Sequence, residues 1–436
     1  VAERFHLHTL GCPKNVVDSE KLAGALRADG LVEVPEPADA DLVLVNTCAF
    51  VEAARVESVE TILAAAASRR PGARLVVTGC LAERCGPELA AALPEIDLVV
   101  GFAGAAELAP VVLRGRAPTG VRDLLELPRP APRRPWAYLK VAEGCDRACA
   151  FCAIPSFRGP QRSRRPEAVV DEATTLVDGG VRELVLVAQD LAAYGRDAGA
   201  VGGLVDLLGR LERLADRGLR RVRLLYLYPS EVRGALLEAM VSSPLVVPYF
   251  DLSLQHVAVG LLRRMRRWGS GERFLALVEG IRRQVPDAAF RSSFIVGFPG
   301  ETEDDHTELG AWLQAAELDW AGFFAFSRED GTAAAGLDGQ VPAELAMERL
   351  RELAAIQDPI TAAARDRLLG SRVEVLVDRV AGSAAVGRTH REAPEIDGEV
   401  HLDAQPVAAG AIVEATVTGA CGPDLRARPE VPVPTA

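Results

Sequence analysis

The sequence predicts a multidomain α/β protein with three folded parts in series. These are a parallel α/β domain, a partial β/α barrel and a small all-β unit. Three observations predict it. Up to residue 125, short apolar runs alternate with helix-length stretches, the pattern of a parallel sheet. A proline-rich stretch follows, then six further apolar runs separated mostly by helical patterns. After about residue 369 the runs become short and partly alternating, divided by glycine, as in a small all-β unit. A chain of 436 residues is also too long for one core.

In the first part, residues 1–125, "RFHLHTLG" reads as a strand and "DSEKLAGALRADG" as a helix ending at glycine. "ADLVLVNTC" is the second strand, "VEAARVESVETILAAAASRR" a helix, "ARLVVTGC" the third strand and "PEIDLVVG" the fourth. Residues 126–135, "ELPRPAPRRP", carry four prolines and form an extended linker. The second part, 136–368, holds "WAYLKVAEG", "ELVLVAQD", "RVRLLYLYP", "VPYFDLSLQH", "FRSSFIVGFPG" and "WAGFFAFSRE". Six such units suit an open barrel, since a complete eight-unit barrel needs about 250 residues. Residues 342–370 read as helix with a break near Pro359. In the third part, 369–436, "RVEVLVDRV", "AAVGRTH", "EVHLDA" and "AIVEATVTGA" are strands, and "RPEVPVPTA" is a frayed end.

Composition narrows the function. No apolar run reaches the length of a membrane span, and "VAERFHLHTLG" does not read as a secretory signal. A cytoplasmic protein with no membrane partner is expected. The net charge of −12 argues against a nonspecific nucleic-acid binder and suits a basic protein partner. Eight cysteines in a chain this long, in a reducing compartment, point to metal or redox chemistry.

Six of the eight fall into two sets. Cys145, Cys149 and Cys152 lie in "CDRACAFC", within eight positions. Three thiolates on a tight loop can hold a cubic iron–sulfur cluster and leave one iron free for a chelating ligand. Zinc is the competing reading, with His256 or a cysteine of the other set as fourth ligand. Cys12, Cys48 and Cys80 are 36 and 32 residues apart, each about one strand–helix–strand unit. Cys12 follows the first predicted strand, and Cys48 and Cys80 end the second and third, so a parallel sheet brings all three to its carboxyl edge, where such folds bind ligands. Cys85 and Cys421 are expected to be ordinary side chains.

"CDRACAFC" resembles the cluster motif of radical S-adenosylmethionine enzymes. The whole chain resembles the methylthiotransferases of that superfamily, from "HTLGCPKNVVDSE" to "GACGPDL". "GCPKN" at 11–15, "AQD" at 188–190, "SFIVGFPGET" at 293–302 and "APEIDG" at 393–398 resemble the branch that modifies the β-carbon of an aspartate in ribosomal protein S-twelve. The branch acting on tRNA adenosines usually reads GCQMN near its first cysteine. The resemblance implies S-adenosylmethionine as cofactor and two [4Fe–4S] clusters, on Cys12, Cys48 and Cys80 and on Cys145, Cys149 and Cys152. It implies a radical barrel in the middle and a TRAM domain at the end. The substrate would be a basic ribosomal protein, free or within the small subunit, and a reductant protein would supply electrons. From residue 370 onward six arginines face ten acids, which suits a basic protein better than RNA.

Phe151 is a candidate to pack against the cofactor purine. Gln189 and Gln255, at barrel-strand carboxyl ends, are candidate cofactor contacts. No acid–base catalytic residue is assigned, because an unactivated carbon has no useful acidity. "RRMRRW", 263–268, is expected to be a solvated helix face, and "FRGPQRSRRP", 157–166, a mobile segment on the substrate side. Two alternatives remain at this stage: a tRNA adenosine methylthiotransferase, and a non-catalytic iron–sulfur scaffold or sensor.

Overall fold

A computed structural model describes residues 3–114, 122–382, 384–403 and 407–430. The first part is a five-stranded parallel sheet in the order β2-β1-β3-β4-β5. Its strands are β1 (Arg4–Thr9), β2 (Val32–Glu33), β3 (Leu42–Thr47), β4 (Arg74–Gly79) and β5 (Leu98–Val99). Every residue of β3 is buried, as an apolar central strand covered on both faces must be. Leu44, Val76 and Phe5 pack with Leu26 of helix α1 (Pro13–Ala28) on one face. Val43, Val45 and Val77 pack with Ile62 of helix α2 (Glu52–Ser68) and Leu81 of helix α3 (Cys80–Ala92) on the other. The predicted strands and helices are present, and the two-residue β2 is additional.

The linker is extended, as its prolines require, with a single 3-10 turn at Leu124–Glu126. It is not loose. The Arg129 side chain, 5% exposed, bonds the Glu20 carboxylate and the Tyr138 carbonyl, and Lys21 donates to the Leu125 carbonyl. The linker is therefore pinned to the domains on both sides of it.

The middle part has six parallel strands, as predicted. One sheet contains β6 (Trp136–Lys140), β9 (Glu183–Val187) and β10 (Arg221–Leu224). The other contains β11 (Tyr249–Gln255), β12 (Ala289–Val296) and β13 (Trp320–Ala325). Single bridges, Val222 to Val246 and Leu227 to Leu252, join them into an open barrel. The short antiparallel pair β7 (Ala142–Glu143) and β8 (Arg162–Ser163) closes the base of the "CDRACAFC" loop.

Two expectations are corrected. The helix Ala343–Asp366 runs straight through Pro359 with no break. Gln357 and Thr361, flanking the proline, donate to the carbonyls of Leu318 and Asp319 at 2.8 and 2.9 Å. Tertiary anchoring on both sides holds the helical backbone where local propensity would end it. The C-terminal unit has a fifth strand. Its closed barrel runs β14 (Arg372–Ala381), β15 (Ala384–Arg388), β16 (Val400–Leu402), β18 (Asp424–Pro429), β17 (Ile412–Cys421). Arg428 and Pro429, read from sequence as frayed, belong to β18, which pairs with both β16 and β17 and leaves the barrel without free edges. Glu430 follows, its amide bonded to the Glu414 carbonyl at 2.8 Å, and 431–436 lie outside the described residues.

The parts dock at opposite ends of the open barrel. The C-terminal unit meets the amino ends of the strands. Tyr249 bonds Asp397 at 2.6 Å, Trp320 Nε1 donates to the Arg391 carbonyl at 2.7 Å, and Glu183 pairs with Arg388 at 2.9 Å. The N-terminal domain covers the carboxyl ends. Asp18 pairs with Lys140 at 2.6 Å, Lys14 lies over Tyr226, and Arg55 and Arg84 both reach the buried Glu329 beyond β13. The carboxyl edge of one sheet thus faces the carboxyl mouth of the other.

Candidate functional site

Cys12 caps the start of α1, Cys48 directly follows β3 and Cys80 directly follows β4. The parallel sheet brings all three to one edge, as predicted. The approach is close enough to require glycine. A Cβ at Gly11, whose φ is +90°, would meet Cys48 Sγ at 2.8 Å, and one at Gly79, φ +92°, would meet the Thr47 carbonyl at 2.6 Å. Asn15 ties the loops together by donating to the carbonyls of Leu10 and Thr47, each at 2.9 Å. Ser58 brackets Cys48, accepting from its N–H at 3.1 Å and donating to its carbonyl at 2.9 Å.

Burial pushes the Cys48 thiol up to about 11 and raises Cys80, and the three thiols also disfavour one another's ionisation. Burial acts on Cys12 too, but Lys14, Arg158 and the amides of Asn15 and Lys14 outweigh it and hold that thiol below its ordinary value. Such a set binds as thiolates only when a positive centre replaces the protons.

The second set lies on the loop between β7 and β8. The Arg147 amide donates to Cys145 Sγ at 3.4 Å, the Cys152 amide to the Cys149 carbonyl at 3.2 Å, and the Ala150 amide to the Met265 carbonyl at 2.9 Å. Burial raises Cys145 and pushes Cys152 up to about 12. Arg267 Nη1 approaches Cys149 Sγ at 3.6 Å. Its guanidinium and that of Arg147 each lie 3.9 Å from the Tyr228 ring centre. Arg147 is held by Asp190 at 2.6 Å and Glu231 at 3.1 Å.

Arg158 joins the two sets. It lies six residues beyond Cys152, at the end of the helical turn Ile154–Arg158. One guanidinium nitrogen donates to Cys80 Sγ at 3.1 Å and Asn15 Oδ1 at 2.6 Å. The other reaches Asp18 at 3.1 Å and Glu143 at 2.8 Å. Phe102 lies under it, 4.6 Å from the ring centre.

Of the other predicted residues, Gln189 follows β9 and donates to Glu143 at 2.5 Å. Its Oε1 is buried without a partner, an orphaned acceptor beside the cysteine loop. Gln255 ends β11 with φ +72°, half-buried. Phe151 is half-buried and packs against the apolar cluster that contains Leu261, Met265 and Phe298, which satisfies the simple packing role. His256 accepts from the Ala258 amide at 3.0 Å. Burial pushes it down to about 4, and its charged neighbours are Asp305, His306 and Arg349, not the cysteines. Cys85 sits half-buried at a kink in α3, and Cys421 is exposed at the end of β17.

Both basic stretches differ from expectation. In "RRMRRW" Met265 is fully buried and Arg267 turns inward to the cysteine loop, so the run is not simply a solvated face. In "FRGPQRSRRP" Arg158, Gln161 and Arg164 are buried and bonded, so this is a fixed strut and not a mobile arm. Sequence reading missed Lys14, Arg147, Tyr226 and Arg267, and it misjudged Arg158. The available signal was position, since Lys14 lies inside "GCPKN" and Arg158 just past "CDRACAFC".

Each set offers three thiols, the donor chemistry that an iron–sulfur cluster takes. Among the described residues no three His, Cys, Asp or Glu side chains are grouped as ligands of one metal ion. A cluster places each thiolate on its own iron and so accepts wider spacing. Among those residues, no helix is long and apolar enough to cross a membrane.

Comparison with known proteins covers the chain in three segments. Residues 4–101 match uncharacterized protein family UPF0004, 139–313 the radical SAM superfamily and 369–429 the TRAM domain. Among curated proteins, the "Ribosomal protein uS12 methylthiotransferase RimO" of Saccharopolyspora erythraea is 44% identical, covering 98% of this chain and 95% of its own length. The protein of that name from Moorella thermoacetica is 45% identical, covering 95% and 96%. Among solved structures, the radical S-adenosylmethionine methyltransferase TsrM of Kitasatospora setae shares the fold, with a TM-score of 0.54 at 16% identity over 88% of this chain and 81% of that one. By these full-length relatives, the chain belongs to the RimO family of ribosomal protein uS12 methylthiotransferases, enzymes of the radical SAM superfamily.

Proposed function

We propose that this enzyme adds a methylthio group to the β-carbon of an aspartate in ribosomal protein uS12. In this reading Cys145, Cys149 and Cys152 hold one [4Fe–4S] cluster, and Cys12, Cys48 and Cys80 hold a second. S-adenosylmethionine sits at the first, near Phe151, Gln189 and Gln255. The observation that carries the reading is the facing of the two cysteine sets across one barrel mouth, with Arg158 bonded to Cys80 from the turn that leaves the other set. When bound, these groups supply a carbon radical that removes hydrogen and a sulfur that is methylated and transferred.

The chain's own residues bind, orient and shelter. Arg158 donates to Cys80 and, with Lys140, balances the buried charges of Asp18 and Glu143. Arg147 and Arg267, clamped on Tyr228, set positive charge beside the loop cysteines, which favours thiolates and any anionic group held there. Gln189 Oε1 offers an acceptor to a ligand donor. The N-terminal domain lies over the carboxyl ends of the strands, which limits water at the radical site. The C-terminal unit, net −4 from residue 370, suits a basic protein substrate.

The test is an anaerobic assay with reconstituted protein, reductant, sulfide and S-adenosylmethionine. It is offered uS12 and, separately, unmodified tRNA. Mass spectrometry is expected to find one methylthio group on an aspartate of uS12 and none on tRNA. A product on tRNA alone overturns the substrate. Neither product, with no 5′-deoxyadenosine formed, leaves an iron–sulfur scaffold or sensor.

A further inference from the structure

The chain has only three lysines, and all three are buried. Two are matched with carboxylates: Lys21 with Glu172 at 3.3 Å and Lys140 with Asp18 at 2.6 Å. Lys14 is not. It is 8% exposed, yet among the described residues its side chain forms no ion pair and no hydrogen bond. Its one close partner is the Tyr226 ring, 3.5 Å from the ammonium to the ring centre. The position is doubly unfavourable for a cation. A buried ammonium without a counter-ion loses hydration uncompensated, and Lys14 is the second residue of α1, at the positive end of the helix dipole. Sequences break such rules at functional sites.

The surroundings are arranged around this charge. Tyr226 is held at φ +63°, in the left-handed region that a bulky residue avoids. Its amide donates to Asp251 at 2.9 Å. Asp251 is in turn committed to Arg291 at 3.1 Å, and Arg291 also pairs with Asp397 at 3.4 Å. The nearby carboxylates are therefore spoken for, and the three N–H donors of Lys14 have no acceptor among the described residues. Its ammonium is not among the sealed unpartnered atoms, so it keeps some accessible surface. Cys12, two residues away, caps the same helix start.

We propose that Lys14, on its Tyr226 platform, is the carboxylate-recognition residue of the chamber and receives the side-chain carboxylate of the substrate aspartate. This rests on the function proposed above. The β-carbon to be modified is bonded directly to the carboxylate carbon. An ammonium that fixes the carboxylate beside Cys12 fixes the reacting carbon within one bond of the anchor. It also gives a selection rule, since an asparagine of the same shape carries no charge and leaves the lysine unpaired.

The experiment compares uS12 with its aspartate-to-asparagine variant at the modified position, by binding and by turnover. Wild-type enzyme is expected to bind the aspartate form at least about tenfold more tightly. Lys14→Gln is expected to bring that ratio close to one, and Lys14→Arg to restore most of it. Equal binding of both forms by wild-type enzyme overturns the proposal without recourse to any variant. A Lys14→Gln protein that keeps the wild-type ratio while its N-terminal cluster shifts in reduction potential also overturns it, leaving Lys14 as charge balance for the cluster. If wild-type enzyme modifies no aspartate of uS12, the function fails; if it does so without discriminating the pair, only the lysine assignment fails.

Discussion

The two cysteine sets reach the carboxyl ends of the barrel strands by opposite routes. Cys145, Cys149 and Cys152 are neighbours in sequence, and a loop closed by the two-residue strands β7 and β8 suffices to gather them. Cys12, Cys48 and Cys80 are gathered only because three parallel strands end on one edge. The first set is a local motif, whereas the second is a property of a folded sheet. The difference teaches that the local set depends on its loop, and the dispersed set on everything that holds the domain in register.

The largest expected effects separate the roles of the sets. Alanine at any of Cys145, Cys149 or Cys152 is expected to abolish both 5′-deoxyadenosine formation and methylthiolation. Alanine at Cys12, Cys48 or Cys80 is expected to abolish methylthiolation while 5′-deoxyadenosine still forms. Chromatography of the nucleoside beside mass spectrometry of uS12 reads both, and an active Cys48→Ala enzyme breaks the comparison.

Next comes Arg158→Gln. It removes one of the two cations, Arg158 and Lys140, that Asp18 and Glu143 share, and takes the guanidinium from Cys80. A loss of about 2–3 kcal/mol is expected, the worth of hydrogen bonds to charged groups. Thermal unfolding measures it, and iron should be lost first from the dispersed set. Equal loss from both sets would mean that Arg158 acts only as a fold strut. Arg267→Met is expected to cost less, on the order of 1–2 kcal/mol, because it removes one ring contact and hydrogen bonds at a half-buried side chain. Its effect should be confined to the loop set, read by the rate of iron release to a chelator. The smallest effect belongs to Cys421→Ser, on an exposed strand end, where iron content and unfolding temperature should match wild type.

Much of this was legible in the sequence, for physical reasons. Strand–helix alternation fixes a parallel sheet, and a parallel sheet fixes which ends meet, so Cys12, Cys48 and Cys80 could be brought together before any coordinates. Six apolar runs gave six barrel strands. What escaped depends on contacts between distant segments. Pro359 stays helical because Leu318 and Asp319 supply anchors from β13's approach, which no local pattern reveals. β18 was missed because an arginine-rich stretch ending in proline carries little strand signal, and closure of the barrel supplies its pairing. Arg158, Arg267 and Lys14 were read as part of basic or motif stretches, but their roles come from what faces them: Cys80, Cys149 and Tyr226.

The central claim is that two separate cysteine sets each hold a cluster at the carboxyl ends of the barrel strands. It is tested most directly by iron and sulfide analysis, with electron paramagnetic resonance, on anaerobically reconstituted wild-type protein and on two triple-alanine variants. One variant lacks Cys12, Cys48 and Cys80, and the other lacks Cys145, Cys149 and Cys152. The account predicts two [4Fe–4S] clusters in the wild type and one in each variant, with a different resonance surviving in each. Wild-type iron content in the variant lacking Cys12, Cys48 and Cys80 would contradict it.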